Sequence, residues 1–171
     1  TSAFMNCIRL KTVQLPDNLT AIPSSCFYDA GVENINFPSK LESIGSYAFT
    51  GSKIENIKIP ATTAVIETPG ITFSDVSTPF EVDPDNQNFS TDENGALFNK
   101  DKTILYCYPD LETEITYDIN CDIDTHAFYR CKNLTKVTFS KDITEIPDSA
   151  FSGTSISEIY IPESVTLIGD S

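Results

Sequence analysis

Few residues in this chain could take part in acid–base or nucleophilic chemistry, and they are scattered. The only histidine is His126, so no second imidazole is available to form a metal-binding pair. No serine, cysteine or lysine lies in a recognised catalytic motif. We therefore predict that His126 is a surface residue, that the chain uses no metal or other cofactor, and that it is not an enzyme.

Carboxylates are abundant and unevenly distributed. The formal net charge is −14, and the segment from Glu81 to Asp124 holds twelve carboxylates against two lysines. Such a field repels phosphate backbones, so we expect no nucleic-acid partner. Two interpretations stay open for the acidic segment: a well-solvated face, or a site for a cation or a basic partner.

One stretch of the acidic segment, Asp83-x-Asp85-x-Gln87, has part of the spacing of a calcium-binding loop. Asn88 stands where that loop needs its turn glycine, and Asn94 stands where it needs a bidentate glutamate. We predict a polar turn in which Asx side chains cap their own backbone.

The positions of these groups depend on an internal repeat, which is the strongest pattern in the sequence. An apolar–x–apolar–Pro signature recurs, with prolines 16, 38 and 60 spaced by 22 residues, and an isoleucine follows each signature six residues later. Most of these isoleucines precede a phenylalanine by five residues, although in the third unit Thr72-Phe73 comes seven after Ile66. The signatures are Val13-Gln14-Leu15-Pro16, Ile35-Asn36-Phe37-Pro38, Ile57-Lys58-Ile59-Pro60, Val137-Thr138-Phe139-Ser140 and Ile159-Tyr160-Ile161-Pro162.

The signature predicts a short strand with two inward side chains and one outward side chain, ended by proline. The glycine after the isoleucine, at Gly45 and Gly169, is expected to permit a sharp bend, and the Ala-Phe pair is expected to form a short helical turn. One unit cannot bury its own apolar edge, so the units must stack and form ladders of equivalent residues.

Ladder positions also account for most of the five cysteines. Cys7 and Cys131 lie three residues after Phe4 and Phe128, where other units have small residues, and Cys26 lies where other units have alanine. We predict small, buried, unpaired thiols at these three positions. A disulfide between Cys107 and Cys121 stays open.

The units read L-x-x-I-x-I-P-x-x-V-x-x-I-G-x-x-A-F-x-x-C, which resembles the BspA-like leucine-rich repeat of bacterial and protist cell-surface proteins. The last unit, residues 156–169, matches nearly every position. The resemblance implies an α/β repeat fold: a right-handed leucine-rich-repeat solenoid with short parallel strands on its concave face and short helical turns opposite. We expect one domain over residues 1–171, of about seven repeats of 22–23 residues, as a fragment of a longer protein.

The middle of the chain departs from the regular unit. Glu81 and Val82 still fit a signature strand, and residues 115–120 form another with Asn120 in the proline position. Between them, residues 96–98 and 104–108 flank a five-residue loop and predict a β-hairpin. We expect a variant repeat with a hairpin insert at about residues 78–126. Its tyrosines, Tyr106 and Tyr108, are candidate aromatic anchors, as is Tyr160 in the last signature.

The outward strand positions are the best candidates for ligand binding. They form two parallel columns of mixed polar character. The alternative interpretation of these columns is a solvated strand face that binds no ligand. The candidate residues are Gln14, Asn36, Lys58, Glu81, Thr138 and Tyr160, with Asn34, Asn56, Lys136 and Glu158 two positions before a member of that column.

The resemblance implies a non-catalytic binding or adhesion module at the cell surface or outside the cell, with host or neighbouring-cell proteins or glycans as partners. The alternative is a rigid spacer with no ligand of its own.

No apolar run is long enough to span a bilayer, so we expect membrane attachment only through an anchor outside this chain. Glycosylation of the sequons at Asn18, Asn88 and Asn133 stays open. Both ends cut through a unit, which predicts exposed ladder edges at Phe4 and Ile168.

Overall fold

The chain winds into a parallel β-solenoid in which successive turns place short strands beside one another. A computed structural model describes residues 2–67, 73, 76–111 and 115–170. Thr72 of the stretched third unit lies outside these residues. Parallel pairing joins equivalent positions of neighbouring turns, such as Thr12 with Asn34. The strands fall into two columns, which we call the signature column and the isoleucine column.

The signature column contains the strands predicted from the proline-ended repeat. Its strands pair in parallel as β1 with β3, β5 with β7 and β11 with β13. Most are only two residues long, and the last signature, around Tyr160, has a single bridge between Lys136 and Glu158 instead of a strand. The bounds are β1 Thr12–Val13, β3 Asn34–Ile35, β5 Lys58–Ile59, β7 Glu81–Val82, β11 Ile115–Ile119 and β13 Leu134–Phe139.

The isoleucine column is a second set of strands that the sequence pattern presented only as bends. Each is two residues long and ends on an isoleucine, and β2, β4 and β6 form one three-stranded parallel sheet. Two residues are too few to show a strand period in the sequence. The bounds are β2 Ala21–Ile22, β4 Ser43–Ile44, β6 Val65–Ile66, β12 Asp122–Ile123, β14 Glu145–Ile146 and β15 Leu167–Ile168.

The Ala-Phe segments are turns, so the predicted helical turns are wrong, and the described residues contain no helix. The backbone N–H of Phe27 donates to the carbonyl of Ala48 at 2.8 Å, and that of Asp29 donates to Thr50 at 2.7 Å. These donors bond to the next turn of the solenoid, whereas a helix would need them to bond four residues back. Positive φ angles of 56° at Ser25 and 49° at Asp29 also interrupt any helical run.

The glycine after the isoleucine serves close packing between turns. Gly45 has no positive φ, but a Cβ on it would lie 2.4 Å from the backbone nitrogen of Ser24 in the preceding turn. The predicted sharp bend is therefore not the reason for this glycine. Neighbouring backbones approach so closely here that no side chain fits between them.

The variant repeat contains β8 (Phe89–Thr91), β9 (Leu97–Asn99) and β10 (Ile104–Cys107). Strands β9 and β10 pair antiparallel across residues 100–103, and β8 pairs antiparallel with β9. The hairpin predicted from the sequence did not include β8. Strand β10 also pairs in parallel with β12, which joins the insert to the isoleucine column.

Phenylalanines of the first successive turns stack into an aromatic ladder from Phe4 to Phe73. The ring centroids of Phe27 and Phe49 are 5.4 Å apart with an interplanar angle of 4°, and those of Phe49 and Phe73 are 5.6 Å apart. Phe4, at the first rung, is 44% exposed, whereas Phe49 is 1% exposed. Ile168, in the last strand β15, is also exposed.

Small residues pack beneath the ladder, as the cysteine pattern predicted. Cys26 and Cys131 are buried free thiols, and Cys7 is a free thiol that is only half-buried. Cys107 and Cys121 are also free, and the Cys107 thiol lies 3.5 Å from the carbonyl oxygen of Phe73. The disulfide left open by the sequence is not formed.

One polar residue that the pattern did not single out is completely buried. The Asn86 amide group donates to the carbonyls of Pro60 and Thr63 at 2.7 and 3.0 Å. Its oxygen accepts from the backbone N–H groups of Asn88 and Phe89, each at 2.8 Å. Together with the bond from the Asp85 N–H to the Asp83 carboxylate, this confirms the predicted Asx turn.

Replacing Phe49 with alanine should cost about 3–5 kcal/mol, because it removes a buried ring stacked on both faces. Phe4→Ala should cost about 1 kcal/mol, because that ring is partly solvated. Urea unfolding followed by circular dichroism measures both. Equal losses would contradict a role for the ladder in stability.

Asn86→Ala should destabilise the protein by about 2–4 kcal/mol, since a completely buried side chain loses four hydrogen bonds to the backbone. Asn88→Ala is the matched control, because the side chain of Asn88 is exposed and should contribute little. Thermal unfolding of the two variants compares them directly. A similar melting temperature for both would show that the Asn86 bonds are dispensable.

Candidate binding surface

The candidate ligand-binding residues stand on the outward side of the signature column. Lys58 is exposed between Ile57 and Ile59, which are both buried, so the strand alternates as its pattern predicts. Nine of the ten candidates are exposed, and Asn36 is half-buried. The exposed ones are Gln14, Asn34, Asn56, Lys58, Glu81, Lys136, Thr138, Glu158 and Tyr160.

Asn36 differs from the other candidates because its amide bonds to the backbone of the preceding turn. Its Oδ1 accepts from the N–H of Leu15 at 2.7 Å, and its Nδ2 donates to the Leu15 carbonyl at 3.1 Å. The Asn36 side chain thus satisfies both backbone groups of Leu15, as a neighbouring strand would. Asn36 therefore joins two turns of the solenoid.

Several other candidates bond to a neighbour on the same face. Lys58 and Glu81 are direct cross-strand partners and form an ion pair at 2.9 Å. The Tyr160 hydroxyl donates to the Glu158 carboxylate at 2.8 Å. Both contacts are exposed, so they add little to stability and can be exchanged for contacts to a ligand.

Two open clefts lie along this face and include the candidates in their walls. The first has a volume of about 380 Å³ and includes the Lys58–Glu81 pair. The second has a volume of about 470 Å³ and includes Lys136, Thr138 and Tyr160. We call them the Lys58 cleft and the Tyr160 cleft. Strand columns of a solenoid thus present grooves as well as side chains.

The variant repeat interrupts the signature column between β7 and β11, which do not pair with each other. The N–H of Phe80 donates to the carbonyl of Gly95, and the Tyr117 hydroxyl donates to the Asp92 carboxylate at 2.8 Å. A polar cleft of about 600 Å³ opens beside this loop. Its lining residues are Asp92, Glu93, Asn94, Lys102, Thr116, Tyr117, Asp118 and Asn120.

The sequence pattern did not predict that Asp118 would share the face of Thr138. The two are cross-strand partners, and the Thr138 hydroxyl donates to the Asp118 carboxylate at 2.7 Å. Hydrogen bonds from Ser140 and Thr138 lower the pKa of Asp118, because they stabilise its charged form. Asp118 thus keeps its negative charge beside the polar cleft.

The three candidate aromatic anchors have different surroundings. Tyr160 is 76% exposed and remains available as an anchor. Tyr108 is 4% exposed and packs with its ring 5.5 Å from that of Phe128, so the prediction that it is an anchor is wrong. Tyr106 is partly buried against Phe89.

The sequence predicts His126 at the surface, but the structure places it half-buried. Its ring lies 5.4 Å from that of Tyr129, and its Nδ1 is buried without a hydrogen-bond partner within the described part of the chain. Burial lowers the pKa of His126, although the carboxylates of Asp148 and Asp124 oppose this shift. The neutral imidazole is therefore the favoured form at neutral pH.

The buried cysteines are protonated. Burial raises the pKa of Cys107 to about 12 and also raises the pKa of Cys26, Cys121 and Cys131.

Over residues 2–67, 73, 76–111 and 115–170, no group of three His, Cys, Asp or Glu side chains is arranged to hold a metal ion. In the same residues, no helix is long and apolar enough to cross a lipid bilayer.

Repeated strands, an aromatic ladder and exposed strand faces define a leucine-rich-repeat solenoid. The sequence model of the BspA-type leucine-rich repeat region, a protein-family model, matches residues 1–99 and 105–171 in six copies. The chain therefore belongs to the BspA-type leucine-rich-repeat family. No curated protein sequence matches it.

Solved bacterial structures share the fold. A leucine-rich repeat protein from Eubacterium ventriosum is 29% identical with a TM-score of 0.81, and the match covers 98% of this chain and 52% of that one. A leucine-rich cell surface protein from Faecalibacterium prausnitzii is 26% identical with a TM-score of 0.72, over the same shares. The pneumococcal vaccine antigen PcpA is 17% identical with a TM-score of 0.62, and the match covers 93% of this chain and 58% of PcpA. At this identity the match shows a likeness of fold alone. The chain thus spans about half the length of these proteins.

Thr138→Val should raise the pKa of Asp118 toward its ordinary value, because the carboxylate loses a hydrogen bond that favours its charged form. In the parent chain, the small stabilisation from this carboxylate is present above its unfolded-state pKa and is lost as the pH falls through its lower folded-state pKa. A carboxyl-detected NMR titration measures the shift. Thr135→Val, on the same strand, is the control and should leave the titration of Asp118 unchanged.

Proposed function

We propose that this chain is a non-catalytic binding module that works at the cell surface or outside the cell. The face of the signature column is its ligand-binding surface, and its ligands are proteins or glycans of a host or a neighbouring cell. The observation that carries the proposal is the regular exposure of polar side chains over buried neighbours, as at Lys58 between Ile57 and Ile59. Solenoids use such extended faces for recognition.

One named relative supports the location outside the cell. The similar structure from Faecalibacterium prausnitzii, which is 26% identical, is described as a cell surface protein. A rigid repeat needs no moving part to present a flat face, and its preformed surface lowers the entropy cost of binding. The exposed Tyr160 supplies the kind of aromatic side chain that is enriched in binding sites.

The alternative function is a rigid spacer without a ligand. It is favoured by the contacts that candidate residues make with each other, such as Lys58 with Glu81 and Tyr160 with Glu158. In a spacer, these contacts would serve only to keep the strand face soluble. The binding experiment below separates the two functions.

The triple variant Lys58→Ala, Lys136→Ala, Tyr160→Ala should lose at least about tenfold in affinity for the ligand, since it removes anchors from both clefts. Immobilised extracellular-matrix proteins and a glycan array supply the ligands, and surface plasmon resonance measures the affinities. The matched control is Lys53→Ala, Lys132→Ala, Tyr47→Ala, which removes the same residue types from exposed positions outside the signature strands.

We expect saturable binding that the control variant retains and the triple variant loses. Uniform absence of binding across all matrix proteins and glycans would favour the spacer. Equal binding by the two variants would mean that the ligand uses another face of the solenoid.

A further inference from the structure

The Lys58 cleft has a chemistry that distinguishes between the ligand classes of the proposed function. It lies along the paired strands β5 and β7 of the signature column. Its floor is apolar, and its polar rim carries more negative than positive charge. The lining residues are Phe37, Ser39, Lys58, Ile59, Pro60, Glu81, Val82, Asp83 and Pro84.

An irregularity of the repeat creates the negative rim. In the regular units a proline follows the second apolar residue directly, as Pro60 follows Ile59, but Val82 is followed by Asp83 and only then by Pro84. Asp83 therefore occupies the ladder position of a proline. Unlike proline it keeps an N–H, which donates to the Ile59 carbonyl at 2.9 Å.

The Asp83 carboxylate is held in place and still has a free oxygen. Its Oδ1 accepts the N–H of Asp85 at 2.9 Å, and its Oδ2 has no hydrogen-bond partner among the described residues. Across the cleft, Lys58 is already neutralised by Glu81 at 2.9 Å. The unbalanced charge at this rim is therefore negative, and it lies beside an apolar floor.

From this geometry we infer that the Lys58 cleft binds an extended polypeptide segment that has an apolar side chain next to an arginine or lysine. The apolar side chain packs against Pro60, Pro84 and Val82, which keep part of their surface exposed. The cationic side chain binds the free oxygen of Asp83. This inference rests on the proposed function, because it names the ligand class for the same strand face.

The same features disfavour a glycan in this cleft. Sugars are commonly bound against open aromatic faces, whereas the aromatic ring in this cleft, Phe37, is half-buried. The cleft volume of about 380 Å³ is at the small end for ligand sites and suits a few side chains of an extended segment. The net charge of −14 would draw a cationic partner toward this face and disfavour a second copy of the chain.

The test uses the whole chain and short synthetic peptides with a Gly/Ser background and one central pair. The pairs are Phe–Arg, Phe–Gln, Ser–Arg and Ser–Gln, and NMR titration measures each dissociation constant. The Phe–Arg peptide should bind about tenfold more tightly than Phe–Gln or Ser–Arg, because only it fills both the floor and the charged rim. Its affinity should fall as salt is added.

Asp83→Asn isolates the charge without disturbing the turn, because the asparagine oxygen can still accept the Asp85 N–H. This variant should bind Phe–Arg about tenfold more weakly and no better than Phe–Gln. Asp17→Asn, which changes an exposed carboxylate after Pro16, is the matched control and should bind like the parent chain. Unchanged melting temperatures verify that both variants are folded.

Failure of this inference can be told apart from failure of the proposed function. Equal binding of all four peptides, or full retention of Phe–Arg binding by Asp83→Asn, overturns the polypeptide site. If the triple variant still loses matrix-protein or glycan binding, the proposed function stands without that site. Displacement of the Phe–Arg peptide by glycans, with Asp83→Asn unchanged, would also overturn the inference.

Discussion

The constraint on which this structure depends is that no single turn can bury its own apolar edge. Phe49 is covered on one side by Phe27 and on the other by Phe73, and removal of either neighbour would expose the ring. Backbone donors follow the same rule, since the N–H of Phe27 bonds to Ala48 in the next turn. Stability therefore comes from contacts between turns, and each turn must keep its position relative to the next.

This constraint also explains where the fold tolerates variation. Inward positions repeat the same residue types, and outward positions differ from turn to turn, so Lys58, Glu81, Thr138 and Tyr160 occupy equivalent places with different chemistry. The insert keeps the stack continuous by another route, because β10 pairs with β12 while Tyr108 packs against Phe128. A binding face can therefore change without loss of the core beneath it.

Irregularities of the repeat shape two of the clefts on that face. The shift of proline from its regular place to Pro84 puts Asp83 at the rim of the Lys58 cleft. The loop around Asp92 separates β7 from β11 and opens the polar cleft beside Asp118.

The sequence by itself determined the solenoid, the inward ladder and the exposed outward residues, because the period of 22 residues forces equivalent side chains to meet. It did not reveal the isoleucine column, since two-residue strands such as Ser43–Ile44 have no period of their own and exist only through pairing with the next turn. The Ala-Phe turns looked helical because local propensity favours a helix there, yet their N–H groups bond to a neighbouring turn. Asn86, Asn36 and Tyr108 acquired their roles from backbone and rings far along the chain. Only the tertiary structure could decide these roles, because each depends on which groups the stacking of turns brings within bonding distance.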